Sequence, residues 1–251
     1  MGCMQKFYYD MHIHSCLSPC GDDDMTPANI AGMAVLNGLN IVALCDHNTT
    51  RNCPAFYAEC KRQGLIPIAG MELTTAEEIH LVCLFEELDS AISFGREVDE
   101  NRVKIKNKTE IFGHQYIYDQ NDKISGEEEF LLPNATLLSL EQGAEFCEKY
   151  GGICYPAHID RPSNGIIAVL GDFPEEPHFD CLEYSDPSSV GEYEKRYKNV
   201  KGKRRIVSSD AHYLWNINEA ENFFELDDEN YSSALMRKRL FELLKKPITG
   251  E

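Results

Sequence analysis

No stretch of this chain reaches the ~18 consecutive apolar residues of a membrane-spanning helix, so no membrane partner is expected. The opening residues, Met1-Gly2-Cys3-Met4-Gln5-Lys6, hold no apolar signal-peptide core, and Lys6 stands where a myristoylation signal needs Ser or Thr. None of the 10 cysteines forms a Cys-x-x-Cys pair. Cys83, Cys154 and Cys181 lie inside apolar runs, where Cys behaves as a small hydrophobe, so reduced thiols are expected rather than a disulfide framework. Basic residues are also scarce: 24 Lys and Arg face 42 Asp and Glu, a net charge of −18. Such a surface repels nucleic-acid backbones and anionic membranes at long range, and nucleic acid is not expected as a partner. These absences together predict a soluble, cytoplasmic protein.

What the chain does have is a repeating strand–helix rhythm. Its 251 residues, 43 % of them hydrophobic, suit one α/β barrel or two small domains. A strand over residues 6–12 ends in His12-Ile13-His14. After a polar loop, Thr26-Pro27 starts a helix, with Thr as N-cap and Pro at the first helical position, and Gly38 ends it. Ile41-Val42-Ala43-Leu44-Cys45 is continuously apolar, as in a parallel sheet buried on both faces, and runs directly into Asp46-His47. A helix over 54–63 follows, then a strand over 66–71 that leads to Glu72. Three strands in succession are thus capped by polar residues, at the end where parallel α/β folds carry their functional loops.

The strand over 79–85 departs from this order, because His80 sits at its beginning. If His80 joins the same site, this strand runs against the others. Residues 88–138 break the rhythm: a polar helix over 90–108, then a hairpin over 115–124 with an Asn-Asp turn. This segment reads either as a lid over the barrel mouth or as a peripheral decoration. Regularity returns with a helix over 140–150, a strand over 153–157 ending in His158, short apolar runs at 166–170 and 181–184, a strand over 206–209 ending in Asp210-Ala211-His212, and a helix over 233–245.

Two histidines one residue apart on a strand point the same way, and converging imidazoles suit zinc, iron or manganese. Of the 8 histidines, six fall at strand ends or beginnings: His12, His14, His47, His80, His158 and His212. His114 and His178 lie in loop contexts. Asp22, Asp46, Glu72 and Asp210 supply carboxylates nearby, and Cys16 and Cys20 stand close enough to His14 for thiolate ligation. Mixed imidazole and carboxylate sites hold divalent metals ~3.5–4 Å apart, and a bridging water that loses its proton near neutral pH then acts as nucleophile.

The order His-x-His, Asp-His, Glu, His, His, Asp-x-His resembles the polymerase and histidinol phosphatase (PHP) family of metal-dependent phosphoesterases. The matching stretches are Asp10-Met11-His12-Ile13-His14-Ser15, Cys45-Asp46-His47-Asn48, Gly70-Met71-Glu72, His80, Pro156-Ala157-His158 and Ser209-Asp210-Ala211-His212. The resemblance implies an α/β fold, a distorted (β/α)7 TIM-like barrel with a metal cluster at its mouth, here filling 1–251 as one unit with an inserted helix and hairpin at about 88–138. Carried across, it makes His12, His14, Glu72 and Asp210 ligands of one metal. Glu72, His80 and His158 hold a second, and Asp22, His47 and His212 a third. Asp22 is chosen from Asp22-Asp23-Asp24 because it stands five residues before Pro27, where the family has its acidic residue. Two departures are visible: Cys45 where the family usually has Thr, and Asp22 where some members have His.

The function so implied is hydrolysis of a small-molecule phosphate monoester, a nucleotide or a histidinol-phosphate-like compound, with two or three divalent ions (Zn, Mn or Fe). Asp210, His212, Glu72 and Arg161 are its catalytic residues. Arg161 and Asn164, in the loop just past His158, are the candidate phosphate-binding residues, since a guanidinium takes a phosphate in bidentate fashion. The basic run 195–205 reads as a solvated helix and turn. Two alternatives are an amidohydrolase-type deaminase, which usually carries a bridging Lys where this chain has Glu72, and a non-catalytic metal-binding module of the kind attached to polymerases.

Overall fold

The computed structural model describes residues 4–246. Met1, Gly2 and Cys3, on which part of the reading of the chain's start rests, lie outside the described residues. In chain order the elements are β1 (Met4–Ile13), α1 (Pro27–Leu36), β2 (Ile41–Leu44), α2 (Cys53–Arg62), β3 (Ile66–Thr74), β4 (His80–Phe85), α3 (Leu88–Glu100), α4 (Thr109–Phe112), β5 (Tyr116–Tyr118), β6 (Ile124–Glu127), α5 (Leu140–Lys149), β7 (Ile153–Pro156), α6 (Ile166–Leu170), β8 (Cys181–Tyr184), α7 (Val190–Arg196), β9 (Arg204–Val207), β10 (Phe223–Asp227) and α8 (Ser233–Leu244).

Strands β10-β1-β2-β3-β4-β7 form one sheet, and β8 pairs with β9. The β1-β2-β3 run is parallel, and so is the β8–β9 pair. Strand β4 is antiparallel to both β3 and β7. That reversal is why His80 opens its strand and still lies near the end of β3 where Glu72 stands: Thr74 pairs with His80, and Glu72 with Val82. Past β7, the Ile159 N–H donates to the Glu183 carbonyl of β8 at 2.9 Å. Past β9, Ala211 makes a parallel bridge to Ile13 of β1. Seven strands, β1-β2-β3-β4-β7-β8-β9, therefore follow one another around a curled sheet, as in the TIM-like fold expected. The addition is β10, antiparallel along β1.

Alternation along the strands divides the core in two. One cluster gathers Phe7, Tyr9, Met11, Ile41, Ala43, Cys45, Ile68, Leu84, Tyr155 and Ile206, with Met236, Leu240, Phe241 and Leu244 of α8 packed against them. The other gathers the opposite faces, among them Val42, Leu44, Met71 and Cys83, against Ile30 of α1, Phe56 of α2, Phe94 of α3 and Cys147 of α5. Each large apolar side chain buried this way contributes roughly 1.5–3 kcal/mol relative to exposure.

The inserted segment differs from its reading in its helices, for a second short one, α4, stands where none was expected. Helix α3 stops at Glu100, eight residues short. Val103 and Ile105 alternate with lysines, a period of two that suits extended backbone, and Arg102 and Lys106 bridge Thr136 and Phe130. The hairpin forms as β5 and β6, with Asp122 at φ 56° in its turn. It is tied to the loop after β2: Asn52 Nδ2 donates to the Tyr116 carbonyl at 3.1 Å, and the Tyr118 N–H donates to Asn52 Oδ1 at 2.8 Å. Asn48 Nδ2 donates to the Leu132 and Asn134 carbonyls at 2.7 and 2.9 Å. The insertion thus packs at the end of the sheet where the ligand-bearing loops emerge.

Candidate metal centre

Each polar side chain of the centre is placed by a local irregularity at a strand end. In β1 the pairing to β2 slips between Asp10 and Ile13. Met11 belongs to the inner core cluster and Ile13 to the outer one. This reversal of face, the ordinary effect of a bulge, turns His12 and His14 together over the end of the inner cluster. An isolated parallel bridge between His47 and Glu72 prolongs the β2–β3 pairing and sets those two side by side. His158 and Asp210 follow β7 and β9 with φ of 30° and 49°, and Asn48 has φ 50°. Left-handed backbone at three non-glycine residues costs energy that only the surrounding structure sustains, and such strain gathers at functional sites.

Glu72 lies at the centre, 1 % exposed. Its Oε1 is 2.7 Å from His80 Nδ1, 3.1 Å from His158 Nε2 and 3.5 Å from His12 Nε2. Its Oε2 is 3.0 Å from His47 Nδ1 and 3.3 Å from His14 Nε2. Asp210 Oδ1 is 2.9 Å from His14 Nε2 and 3.4 Å from His12 Nε2. Three sets of donors have atoms within 4.8 Å of one another: His12, His14, Glu72 and Asp210; His47, Glu72 and His80; and His14, His47 and His212. The first set is the one expected for the first metal. The second set brings His47 rather than the expected His158 to Glu72 and His80, while His158 Nε2 approaches the same Glu72 oxygen as His80.

The outer nitrogens of the rings are held by partners. His12 Nδ1 lies 2.9 Å from Glu183 Oε1, His14 Nδ1 3.1 Å from Ser18 Oγ, and His212 Nδ1 2.8 Å from the Asp210 carbonyl. If those outer nitrogens carry the protons, each ring turns its Nε2 lone pair inward. Ser18 Oγ in turn donates to Asp46 Oδ1 at 2.8 Å and accepts from the His47 N–H at 3.1 Å, and Asp46 also takes the Ser15 N–H and hydroxyl. Asp46 and Ser18 are therefore orienting groups. Asp10 is another: it accepts from the Ser209 and Asn218 N–H groups at 3.1 and 3.0 Å and so ties β1 to the Asp210 loop. His12 Nε2 and His14 Nε2 approach to 3.1 Å. His158 Nδ1 is buried without a hydrogen-bond partner, and His47 Nδ1 and Asp210 Oδ1 are buried with no partner outside the cluster itself. Inward lone pairs and unpartnered buried acceptors at such separations fit divalent cations, and the nitrogen and carboxylate set suits the transition metals expected.

The electrostatics agree. Burial pushes His12 down, but Glu183, Glu72 and Asp210 outweigh it and hold the ring well above the ordinary histidine range. Burial likewise lowers His47, and Cys20 and Glu72 raise it further than burial lowers it. Glu72 and Asp210, which burial alone would raise, are held well below the usual carboxylate range by the surrounding histidines. His80 is shifted the other way, lowered by burial, but carboxylates that draw protons onto His12 and His47 also draw cations.

Glu183, 1 % exposed, went unrecognised in the sequence. Its Oε1 holds His12 and also accepts the His158 N–H at 3.2 Å. The signal was present: a lone carboxylate inside the apolar run Cys181-Leu182-Glu183-Tyr184 must be paired if that run is a buried strand. Arg161 is brought to the centre, with Nη1 paired to Asp210 Oδ2 and its side chain 38 % exposed. Asn164 is not: its Nδ2 donates to the Glu78 carbonyl at 2.9 Å. Asp22 also lies outside the three donor sets, with Oδ1 accepting the Asp24 N–H at 2.9 Å. Cys20 likewise lies outside the three sets and keeps an exposed surface; desolvation raises its thiol, and the neighbouring His47 and His212 rings more than offset this, bringing it down to about 5. Cys16 is buried in the outer core cluster. His114 and His178 pair with Glu127 and Asp180 away from the centre. Among the described residues no helix is long and apolar enough to cross a membrane.

A family model described as the PHP domain matches residues 10–164. A 5'-3' exoribonuclease of Haemophilus influenzae is 35 % identical over 79 residues, covering 30 % of this chain and 28 % of the relative. The matched stretch is thus under a third of that relative's length. A structure of Endonuclease Q in complex with a 27-mer duplex substrate, with an abasic lesion at the active site, superposes with a TM-score of 0.63 at 19 % identity over 97 % of this chain and 58 % of that one. A protein from Bifidobacterium adolescentis, described as a metal-dependent phosphoesterase, superposes with a TM-score of 0.60 at 17 % identity over 94 % of this chain and 98 % of that one. At these identities the superpositions establish the shared fold. The expectation that nucleic acid is no partner is overturned: a sequence relative is named as an exoribonuclease, and a protein of this fold is held on a duplex. The physical error lay in reading a whole-surface charge as if it were the field at the site.

Proposed function

This chain belongs to the PHP-domain family of metal-dependent hydrolases, and we propose that it cleaves a phosphoester bond of a nucleic-acid strand. The observation that carries the reading is the donor set of His12, His14, Glu72 and Asp210, buried and joined through Glu72 to His47, His80 and His158. Zinc, manganese or iron bound there would lower the proton affinity of a water molecule and offset the charge that develops on the phosphoryl oxygens. The protein's own part is to fix that geometry. Glu72 spans the two halves of the cluster, Glu183 and Ser18 orient His12 and His14, and Asp46 orients Ser18.

Arg161 stands at the exposed edge, where its guanidinium can exchange Asp210 for a phosphate oxygen. Three residues past His212, Trp215 is 74 % exposed and Tyr213 39 % exposed. Their rings stack at 4.9 Å and 23°. An exposed aromatic pair beside a phosphoester site suits a nucleobase, and base stacking on such rings is worth ~1–3 kcal/mol per base. We read 1–251 as one PHP-type unit with 88–138 as its insertion, working in the cytoplasm.

The test is a substrate panel with metal-loaded protein: single-stranded RNA, single-stranded DNA, duplex and mononucleotides. The expected result is shortened oligonucleotides, with the activity lost in Asp210→Ala. Turnover of mononucleotides alone would return the smaller substrate class, and bound metal without any hydrolysis would identify a non-catalytic module. Trp215 is the chain's only tryptophan, so oligonucleotide binding should quench its fluorescence. Unchanged emission at saturating strand would remove the stacking role.

A further inference from the structure

We propose that the cavity between Arg161 and α7 is a second nucleotide subsite, where Arg196 holds the phosphate next to the one being cleaved. The inference rests on the nucleic-acid reading above and deepens it: the substrate is a strand that reaches past the metal centre. The cavity measures about 320 Å³ and lies between the loop past β7, α6 and α7. Small-molecule sites begin at about this size, ~300–1,000 Å³.

Its position follows from two residues of the β7 loop. Asp160 Oδ1 accepts the Ser185 N–H at 2.9 Å, and its Oδ2 accepts the Asp186 N–H at 2.8 Å and the Ser189 hydroxyl at 3.0 Å. These bonds fix the approach to α7 against that loop. Arg161 is the wall shared with the metal centre, since it lines the cavity while its Nη1 is paired to Asp210 Oδ2. A ligand in the cavity therefore sits beside Asp210. The Tyr213–Trp215 stack follows the same Asp210 loop but lies toward α1, where Asn37 Nδ2 donates to the Ile217 carbonyl at 2.8 Å. The cavity and the aromatic pair thus flank the centre, on its β7–β8 side and its β1 side.

The lining has the chemistry of a nucleotide site. Ile159 and Ile167 are buried, and Tyr193 and Tyr197 are half-buried, so the floor is apolar and aromatic. Two guanidinium groups, Arg161 and Arg196, line it with one carboxylate, Asp160, both of whose oxygens are already taken by N–H and hydroxyl donors. Arg196 is the separate observation that points to a ligand. The exposed-side arginines Arg62, Arg205 and Arg239 all find carboxylates, as expected in a chain with 42 acidic residues to 24 basic ones. Arg196 finds none among the described residues; its guanidinium carbon lies 5.2 Å from the centroid of the Tyr197 ring. Contact through the ring face orients the guanidinium and leaves its N–H donors unspent, ready for a bidentate phosphate.

The test compares metal-loaded wild type, Arg196→Ala and Arg196→Lys on a labelled pentanucleotide and on methyl p-nitrophenyl phosphate, a diester with no second nucleotide. Arg196→Ala is expected to raise KM for the pentanucleotide about tenfold with kcat kept, the signature of lost binding outside the reacting bond. Arg196→Lys should recover part of the loss, and both variants should turn over the methyl ester as wild type does. A neutral methylphosphonate linkage next to the cleaved bond should raise KM for wild type by a similar factor and add nothing in Arg196→Ala, because both changes remove one contact. An Arg196→Ala protein with wild-type KM for the pentanucleotide, or with equal losses on both substrates, overturns the subsite alone. Wild-type protein that leaves the pentanucleotide intact overturns the nucleic-acid reading itself, which separates the two failures.

Discussion

Replacing Glu183 probes the centre through a residue outside the proposed ligand sets. In Glu183→Ala, two buried donors, His12 Nδ1–H and the His158 N–H, lose the oxygen that lies 2.9 and 3.2 Å away. Each unpaired buried donor costs ~1–3 kcal/mol, although rotation of a ring or entry of water into the space left would recover part of that. Glu183→Gln is the more discriminating change. It keeps an acceptor for His12 and removes only the charge, and its amide nitrogen would occupy the place of Oε2, which has no partner. Loss of a group that orients a metal-ligating histidine typically lowers metal affinity ~10–100-fold, about 1.4–2.8 kcal/mol.

The pH dependence fixes the sign. After the lowering effect of burial, Glu183 is the largest influence holding His12 up. Protons therefore compete with metal for wild-type His12 well above the ordinary histidine range. In Glu183→Gln the ring releases its proton at lower pH, so competition weakens there. The affinity deficit should be widest under alkaline conditions and should narrow as the pH falls toward the ordinary histidine value. The assay is competition for Zn(II) or Co(II) against a chromophoric chelator across that range. A Glu183→Gln protein indistinguishable from wild type under alkaline conditions would refute the claim that this carboxylate organises the centre.

Arg161→Ala should raise KM for a phosphate ester by an order of magnitude or more, the ~1.5–3 kcal/mol of a charge-assisted hydrogen bond, while metal content stays constant. An unchanged KM confines Arg161 to its ion pair with Asp210. His12 and His47 have folded values raised above the unfolded histidine value. In chelator-treated protein their contribution to stability is complete below ~6.5 and is lost as pH rises through the raised values, so the midpoint of thermal unfolding should fall into the alkaline range. A midpoint that rises there would contradict the assignment. Gly70→Ala would set a Cβ 2.8 Å from Cys45 Sγ, 2.9 Å from Leu84 Cδ2 and 3.0 Å from the Cys83 carbonyl. Overpacking of this kind costs ~1–3 kcal/mol, and denaturant titration would measure it.

The cluster was legible because strands buried on both faces make any terminal polar residue conspicuous. Glu72 follows Ile66-Pro67-Ile68-Ala69-Gly70-Met71, and His158 follows Ile153-Cys154-Tyr155-Pro156-Ala157. His80 was legible as a member of the set because a strand can meet the cluster from either direction, and the antiparallel course of β4 resolves which. Glu183 was missed for the opposite reason: it interrupts an apolar run that was read for its hydrophobicity alone. That Asp22 lies outside the donor sets could not be learned by counting residues back from Pro27. Turns at Ser15–Ser18 and Ser18–Gly21 wind that loop, and hydrogen bonds that wind a loop leave little trace in composition.

The charge argument failed on a question of range. A net charge of −18 is a sum over the whole surface, and in physiological salt its field decays over about 8 Å. The donor atoms of each of the three sets lie within 4.8 Å of one another, so bound divalent ions would dominate the field that a phosphate meets there. The two effects act on different quantities. The surface charge opposes the approach of a polyanion, whereas the centre acts on a phosphate already delivered. A basic nucleic-acid binder loses affinity as salt rises, because it releases counterions from the strand. For this acidic chain the dominant long-range term is repulsion, so moderate added salt should speed association with an oligonucleotide, measured by stopped-flow quenching of Trp215. Association that slows steeply with salt would mean instead that a local basic surface guides the strand.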